Sequence, residues 1–228
     1  MTIASVEAIE NASVVAFPVS KKGKVGFAKS IAEKWLIDKK KTVPLFFPMV
    51  QDQELCKRAW KIAAMQLIDL CNAKEKVVFL SLGDVSLFST SSYLLLEIKK
   101  QCPDLNIEMI PGINSFSAVA ASAKWPLAIQ DDQLLIIPTP NNKISLENIL
   151  DDAAYSKRVI ALMKLGKRWS WVRDLLIEKN LLDKCIFAKN VGFEDQIITP
   201  AIQIDYEECP YFSLLLIRQH WPENLIRL

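Results

Sequence analysis

The sequence predicts an α/β fold on three observations. Short runs of apolar and β-branched residues with the length of strands recur along the chain, and segments with a helical hydrophobic period lie between several of them. Glycines come at or just after the ends of several of these strands, where open α/β sheets bind ligands. A chain of 228 residues, 51% of them hydrophobic, has the material for two such domains. We therefore expect a two-domain α/β protein in which each domain is a mainly parallel or mixed sheet flanked by helices.

The elements follow from the local hydrophobic pattern. The predicted strands are residues 14–17, 42–47, 77–82, 107–110, 133–137, 158–163, 184–189 and 212–217. The predicted helices are residues 25–36, 52–71, 90–101, 115–124, 146–154 and 169–179. The second helix is the clearest, because its apolar residues approximate a single stripe formed by Leu55, Ala59, Ile62, Met65, Leu67 and Leu70.

A domain boundary is expected near residues 126–133. There the polar stretch PLAIQDDQ follows one set of strand and helix units and precedes a second set that begins with LLIIP. The predicted domains are residues 1–129 and 130–228, each of ordinary domain size.

Charge and composition disfavour several function classes. The 28 Lys and Arg residues against 26 Asp and Glu residues leave a net charge of +2, which points neither to nucleic acid nor to an anionic membrane. No apolar run reaches the roughly 18 residues that a membrane-spanning helix needs. The first residues, MTIASVEAIE, carry acids and no base, unlike a secretory signal. We expect a cytoplasmic protein with no nucleic-acid or membrane partner.

Residues for metal sites and for histidine-based catalysis are sparse. The five cysteines are scattered singly without CxxC spacing, and His220 is the one histidine. We therefore predict neither a disulfide framework nor a metal site, and we assign no catalytic residue. Catalysis must then depend on how a reactive cofactor and a substrate are placed.

Two glycine-containing loops are candidate ligand sites. Gly83-Asp84 ends one predicted strand, and Pro111-Gly112, followed by Asn114 and Ser115, ends another. A glycine there lets the backbone approach a ligand closely, yet an ordinary turn with a capped helix explains each loop as well or better. Neither a P-loop nor a GxGxxG motif is present.

Taken together, four segments resemble the tetrapyrrole (corrin/porphyrin) methyltransferases, a two-domain family that uses S-adenosylmethionine. The resemblance covers nearly the whole chain and is carried by ASVVAFPV (12–19), LFFPMVQDQELCKRAWKIAA (45–64), LGDVSLFSTSSYL (82–94) and IPGINSFSAVAA (110–121). The FPM block before a tryptophan-containing helix, and Ser89-Thr90 after the Gly-Asp loop, are similar specifically to the branch that methylates C-20 of precorrin-2.

The resemblance also implies site residues. The expected contacts to S-adenosylmethionine are Leu82, Gly83, Asp84, Leu87, Asn114, Ser115, Met163 and Gly192. The expected tetrapyrrole contacts are Ser89, Thr90, Lys21 and Lys22. The lysines of KKGK are included because the substrate carries many carboxylates, although a solvated loop is the commoner role for such a run.

The chain departs from the family pattern at three places. Val85 replaces the proline of a GDP motif, and Phe88 replaces a common tyrosine. Met1-Thr2-Ile3 stands where the family's first helix begins, so the first strand and a GxGPGDP loop are expected to be lacking, with a loss of stability or activity.

The implied reaction is methyl transfer to C-20 of precorrin-2, or of its cobalt-bearing counterpart, in cobalamin biosynthesis. Two alternatives stay open: another methylase of this fold that acts at a different tetrapyrrole position or on diphthamide, and a non-catalytic protein that binds a tetrapyrrole or a partner. Family membership further implies a homodimer.

Overall fold

The computed structural model describes residues 1–21, 26–36, 41–205 and 209–221. The chain forms two compact units, Met1–Asn114 and Ser115–Leu228. The predicted boundary between residues 129 and 130 would instead place residues 115–129 in the first domain, and it remains a prediction.

The first unit is built around a parallel three-stranded sheet in the order β2-β1-β3. Its elements are α1 (Ile3–Asn11), β1 (Val14–Val19), α2 (Phe27–Ala32), β2 (Lys41–Phe46), α3 (Gln53–Asn72), β3 (Val77–Phe79) and α4 (Thr90–Gln101). The register aligns Val14 of β1 with Lys41 of β2 and with Val77 of β3. The carboxyl ends of all three strands therefore point to one edge, and the predicted loop of Gly83 follows β3.

Two apolar layers cover the sheet of this unit. Val15, Phe17 and Val19 of β1 pack with α1 and α2, while Ala16 packs on the opposite side with α3 and α4. Because β1 is covered on both faces, its sequence is a continuous apolar run and does not alternate between apolar and polar residues. Thr2 caps α1 by accepting a hydrogen bond from the backbone N–H of Ser5, which agrees with the helix expected to begin at residues 1–3.

The second unit contains a mixed five-stranded sheet in the order β4-β5-β8-β6-β7. Its elements are α5 (Ser115–Ser122), β4 (Gln133–Pro138), α6 (Lys143–Tyr155), β5 (Arg158–Met163), α7 (Trp169–Glu178), β6 (Cys185–Lys189), β7 (Ile197–Pro200) and β8 (Ser213–Ile217). Strands β4 and β5 are parallel, whereas β8 is antiparallel to both β5 and β6. The carboxyl ends of β4, β5 and β6 consequently share one edge with the start of β8.

The predicted fold class is confirmed, and several elements differ from expectation. Residues 107–110 are not a strand, because no strand among the described residues pairs with them and a strand is defined by its ladder of hydrogen bonds. The strand predicted at 77–82 ends at Phe79. Strand β7 was not predicted, since four residues of an antiparallel hairpin give little periodic signal.

The apolar stripe predicted on α3 is also wrong in part. Ala59 and Leu67 are buried, but Leu55, Ile62 and Met65 are 44%, 57% and 48% exposed. The buried face instead includes Ala63 and Ala64. The small side chains of this face let the helix pack closely against its neighbours.

Candidate functional site

The loop between β3 and α4 is held in a fixed shape by its own polar groups. Gly83 and Phe88 adopt left-handed backbone angles, with φ of 68° and 50°. The Oδ1 atom of Asp84 accepts hydrogen bonds from the backbone N–H of Ser86, at 2.8 Å, and from the Ser86 hydroxyl. The left-handed backbone angle of Gly83 is unstrained in glycine and turns the chain after β3 has ended at Phe79.

Asp84 also joins this loop to the second predicted loop. Its Oδ2 atom accepts a hydrogen bond of 2.9 Å from the backbone N–H of Gly112. The hydrogen bonds from the Ser86 side chain and from the backbone N–H groups of Gly112 and Ser86 lower the pKa of Asp84 below its usual value. The carboxylate is therefore charged near neutral pH and serves as a clasp between two loops.

Gly112 lies directly against Gly83. A Cβ atom added to Gly112 would come within 2.1 Å of the Gly83 carbonyl oxygen, closer than atoms can approach. In the other direction, the Cβ position of Gly83 is 3.6 Å from the Ile113 oxygen. The sequence places both glycines at strand ends, and the structure brings the two loops into backbone contact.

Three serine hydroxyls fasten the same loop to the start of α4. Ser89 caps the helix by accepting from the Ser91 N–H at 3.2 Å, and its hydroxyl lies 2.7 Å from that of Ser81. The Ser91 hydroxyl donates to the Val85 carbonyl at 2.8 Å. Ser89 is buried, and its hydroxyl contacts Ser81 and Ser91 within this part of the chain. Ser81 was not predicted, since a serine inside a predicted strand gives no sign of such a partner.

The other predicted site residues of the first unit differ in how far their side chains are exposed. Leu82, Leu87 and Thr90 are half-buried, and Leu82 packs against the apolar layer of α1 and α2. Asn114 is half-buried just after the Gly112 loop. Lys21 is exposed two residues after β1, whereas Lys22 and Lys24 lie outside the described residues.

In the second unit, Met163 is the last residue of β5. Its carbonyl accepts two hydrogen bonds from Thr139, one of 2.7 Å from the backbone N–H and one of 2.8 Å from the Oγ1 hydroxyl. Thr139 is buried at 5% exposure and follows β4 directly. Lys164, the next residue after Met163, has a φ of 57°, so the chain turns sharply at this edge. Thr139 was not predicted, because its partner is 24 positions away in the sequence.

Gly192 lies in the connection between β6 and β7. Its φ is 86°, and a Cβ atom there would meet nothing within 4 Å. Its N–H donates to the Gln196 side-chain oxygen at 3.0 Å. Ser115, the remaining predicted contact, is the first residue of α5 and is half-buried.

The geometry fits a cofactor that is bound largely by main-chain atoms. In the first unit, Gly83 is exposed and left-handed, so its backbone is presented without a covering side chain. The ionised Asp84 supplies a negative charge next to this position. These groups of the first unit suit a ligand with cationic groups, such as S-adenosylmethionine.

Three of the cysteine thiols, those of Cys71, Cys185 and Cys209, have a raised pKa. Burial raises the pKa of the Cys209 thiol to about 12, with nearby Lys189 acting in the opposite direction. Burial also raises the pKa of Cys185 far above its ordinary range, and that of Cys71 to a smaller degree. These thiols are protonated at neutral pH and are poor nucleophiles.

The described residues contain neither a cluster of metal-binding side chains nor a helix suited to span a membrane. No cluster of three or more His, Cys, Asp or Glu side chains with the geometry of a metal site occurs within residues 1–21, 26–36, 41–205 and 209–221. Within the same ranges no helix is both long and apolar enough to cross a membrane.

A family model for tetrapyrrole (corrin/porphyrin) methylases matches residues 1–202. The chain therefore belongs to this family.

Three curated relatives are similar to this chain over nearly its whole length. The chain is 28% identical to cobalt-precorrin-2 C(20)-methyltransferase of Salmonella typhimurium, over 97% of this chain and 91% of the relative. It is 30% identical to probable cobalt-precorrin-2 C(20)-methyltransferase of Methanocaldococcus jannaschii, over 96% and 90%. It is 25% identical to precorrin-2 C(20)-methyltransferase of a Sinorhizobium species, over 95% and 89%.

Solved structures support the same fold. The methyltransferase CobJ superposes with a TM-score of 0.69 at 20% identity, covering 96% of this chain and 87% of that one. Uroporphyrin-III C-methyltransferase of Thermus thermophilus, solved with S-adenosyl homocysteine, has a TM-score of 0.57 at 13% identity, covering 96% and 91%.

Proposed function

We propose that this protein transfers a methyl group from S-adenosylmethionine to C-20 of precorrin-2, or of its cobalt-bearing counterpart, in cobalamin biosynthesis. The observation that carries the proposal is similarity across at least 95% of the chain to three proteins whose names all specify C(20) methylation. Two of those names specify cobalt-precorrin-2 and one specifies precorrin-2, so both acceptors belong in the test.

The cofactor contacts we propose are Leu82, Gly83, Asp84, Leu87, Asn114, Ser115, Met163 and Gly192. When bound, S-adenosylmethionine supplies an electrophilic methyl group on a sulfonium sulfur. Support comes, in the first unit, from the exposed left-handed Gly83 and from the charged Asp84 carboxylate next to it. A bound S-adenosyl homocysteine in the Thermus thermophilus relative of the same fold agrees with this choice of cofactor.

The protein's contribution to the reaction is orientation. The Asp84 carboxylate and the Gly83–Gly112 contact hold two loops in one arrangement before any ligand arrives. Such preorganised groups reduce the entropy that must be lost when reactants are aligned for displacement. Since C-20 is electron-rich in the reduced macrocycle, alignment and exclusion of water can suffice without a strong base.

The substrate contacts we propose are Ser89 and Thr90 at the start of α4, and Lys21 and Lys22 after β1. Lys21 is exposed beyond the carboxyl end of β1, where a cation could attract a carboxylate. Ser89 is buried and bonded to other serines, so its part would be to hold Thr90 and the preceding loop in place.

The decisive experiment incubates the purified protein with methyl-labelled S-adenosylmethionine and either precorrin-2 or cobalt-precorrin-2. We expect label at C-20 of one acceptor, located by NMR, together with one equivalent of S-adenosyl homocysteine. Uroporphyrinogen III serves as a control acceptor of similar charge.

Other outcomes would point to the alternatives. Label at a different carbon, or on uroporphyrinogen III, would assign another methylase of this fold. Binding of a tetrapyrrole without any transfer to the acceptors would favour a non-catalytic protein.

A homodimer and a cytoplasmic location complete the proposal. The first rests on family resemblance and the second on the composition of the chain.

A further inference from the structure

The loop between β3 and α4 is closed at its base by a contact between two side chains. Ser81 comes just before the loop and Ser89 just after it, eight positions further along the chain, and their hydroxyl oxygens are 2.7 Å apart. Ser81 is half-buried and Ser89 is buried. Holding the two ends of a segment together removes conformational freedom from the residues between them. The Ser81–Ser89 contact therefore restricts Gly83, Asp84 and the rest of the loop.

Both ends of this contact are attached to well-bonded parts of the first unit. The residue before Ser81 is Leu80, whose backbone N–H donates to the Ala16 carbonyl of β1 at 2.8 Å, one step beyond the end of β3. Ser89 caps α4, and Leu94 of that helix packs in the same apolar cluster as Ala16. The contact thus joins the sheet to the helix across the base of the loop.

The hydroxyl protons of this serine cluster have a defined direction. The Ser91 hydroxyl lies 2.8 Å from the Val85 carbonyl oxygen, which can only accept, so Ser91 donates its one proton there. Ser89, 2.5 Å from Ser91, then donates to it, and Ser81 donates to Ser89. Hydrogen bonds in such a chain polarise and strengthen one another. Ser81 is therefore the first donor of a serine chain that ends on the backbone of the loop.

The serine chain meets the Asp84 clasp at a single peptide group. The Val85 carbonyl accepts from Ser91. The N–H of the same peptide belongs to Ser86 and donates to the Asp84 Oδ1 atom at 2.8 Å. The other oxygen of this carboxylate accepts the hydrogen bond that joins the two loops. A change at Ser81 can therefore reach the charged group that we place at the cofactor.

We propose that Ser81 is a positioning residue of the candidate cofactor site. Its hydroxyl closes the base of the loop and begins the serine chain, and it thereby holds Gly83 and Asp84 in the arrangement that receives S-adenosylmethionine. The inference rests on the proposed function for the identity of the cofactor. A loop that already has its bound shape loses less entropy when the ligand binds, so the hydroxyl contributes to affinity through the loop.

Two isosteric variants separate the hydroxyl of Ser81 from the size of the side chain. Ser81→Thr keeps the hydroxyl, and Ser81→Val carries a methyl group in its place, so any crowding caused by the larger side chain is common to both. Ser92→Ala is the control, because the Ser92 hydroxyl is 3.5 Å from the same Val85 carbonyl, a distance at which a hydrogen bond is weak. Urea denaturation verifies that the three variants are folded.

We expect Ser81→Val to bind S-adenosyl homocysteine roughly three- to tenfold more weakly than Ser81→Thr does, and Ser92→Ala to bind it within about twofold of the wild type. Calorimetry measures these affinities. In the ligand-free protein the backbone amides of Ser86 and Ser91 should exchange their hydrogens faster in Ser81→Val than in Ser81→Thr, as followed by NMR.

Steady-state kinetics distinguish positioning from a general loss of folded protein. Ser81→Val should raise the KM for S-adenosylmethionine, whereas a smaller folded fraction would lower kcat and leave KM unchanged. Three results would overturn the inference: equal affinities of Ser81→Val and Ser81→Thr, a weakening by Ser92→Ala as large as that by Ser81→Val, and equal amide exchange in the two Ser81 variants.

Failure of this inference is distinguishable from failure of the proposed function. Methyl transfer to C-20 by the wild type, together with equal S-adenosyl homocysteine affinities of the two Ser81 variants, would reject the role of Ser81 and leave the function standing. A difference between the two variants in affinity and in amide exchange, without methyl transfer to either acceptor, would reject the function and leave the role of Ser81 standing. Absence of S-adenosyl homocysteine binding by the wild type would reject both.

Discussion

Gly112 illustrates a constraint that acts at the scale of a single atom. The position needs a hydrogen in place of a side chain because the Gly83 carbonyl oxygen would lie 2.1 Å from a Cβ atom. Its N–H is at the same time the donor to Asp84. Any side chain would therefore separate the two loops and break the clasp between them.

Gly112→Ala should destabilise the protein by about 1–3 kcal/mol, as overpacking does, and should weaken binding of S-adenosyl homocysteine. Urea denaturation and calorimetry measure the two effects. Gly192→Ala is the matched control for the stability measurement alone, since its Cβ would meet nothing within 4 Å and only the φ of 86° opposes it. The control should lose about 1 kcal/mol of stability. Equal stability of Gly112→Ala and the wild type would show that the two loops separate without cost.

The contacts of Asp84 could be predicted from the sequence only in part. The direct cofactor contact of Asp84 stays a prediction, and the structure shows its carboxylate accepting hydrogen bonds from Ser86 and Gly112. Its partner Gly112 is 28 positions away, so the clasp itself could not be read from local spacing. Polar residues at strand ends mark a candidate site, but their partners depend on which loops the fold brings together.

At the scale of elements, the carboxyl ends of the strands determine where the candidate residues lie. In the second unit, β4 and β5 pair in parallel from Gln133 with Arg158 to Pro138 with Met163. This register continues one step into the loop, where Thr139 caps the Met163 carbonyl with two hydrogen bonds. The side-chain bond fixes the peptide that precedes the left-handed Lys164.

Thr139→Val removes the Oγ1 hydrogen bond and keeps the shape of the side chain. We expect S-adenosyl homocysteine to bind roughly two- to tenfold more weakly, because one net hydrogen bond contributes about 0.5–1.5 kcal/mol. Calorimetry measures the change. Thr139→Ser should restore affinity, since serine keeps the hydroxyl.

Thr199→Val, on β7, is the matched control and should leave the affinity unchanged. Weakening by Thr139→Ser as large as that by Thr139→Val would argue that shape, and not the hydroxyl, matters.

Helix α3 shows how far periodicity predicts an element. The sequence places it at residues 52–71, and the structure has Gln53–Asn72 with Asp52 as the cap. The helix was predictable because its start signal and apolar content are local. Its buried face was not predicted correctly, because Ala63 and Ala64 are buried whereas the larger Ile62 and Met65 are exposed.

At the scale of the whole molecule, one buried ion pair joins distant parts of the second unit. The Arg218 Nη1 atom donates to Asp132 at 2.6 Å, and Nη2 donates to the carbonyls of Pro126 and Leu127 at 3.0 Å each. Arg218 is 1% exposed. Its guanidinium carbon lies 4.5 Å from the centroid of the Trp221 ring. The end of β8 is thereby tied to the segment that precedes β4.

Arg218→Met should destabilise this unit by about 3–5 kcal/mol, because it leaves the Asp132 carboxylate buried without its counterion. Urea denaturation followed by tryptophan fluorescence measures the loss, since Trp125 and Trp221 flank the guanidinium. Arg158→Met is the control. It breaks the ion pair with Asp152, whose side chain is 60% exposed, and should cost at most about 1 kcal/mol. Similar losses in the two variants would mean that burial adds nothing to the Arg218 pair.

The sequence by itself determined the alternation of strands and helices, the family and the positions of the candidate loops. These properties depend on local hydrophobic period, on glycine and on short motifs, all of which are contained in neighbouring residues. It did not determine which segments pair: residues 107–110 have the composition of a strand, and no described strand pairs with them. Only the tertiary structure decided the Asp84–Gly112 clasp and the Thr139–Met163 bonds. Each joins residues distant in the chain, and such contacts exist only once packing has chosen the neighbours of every strand.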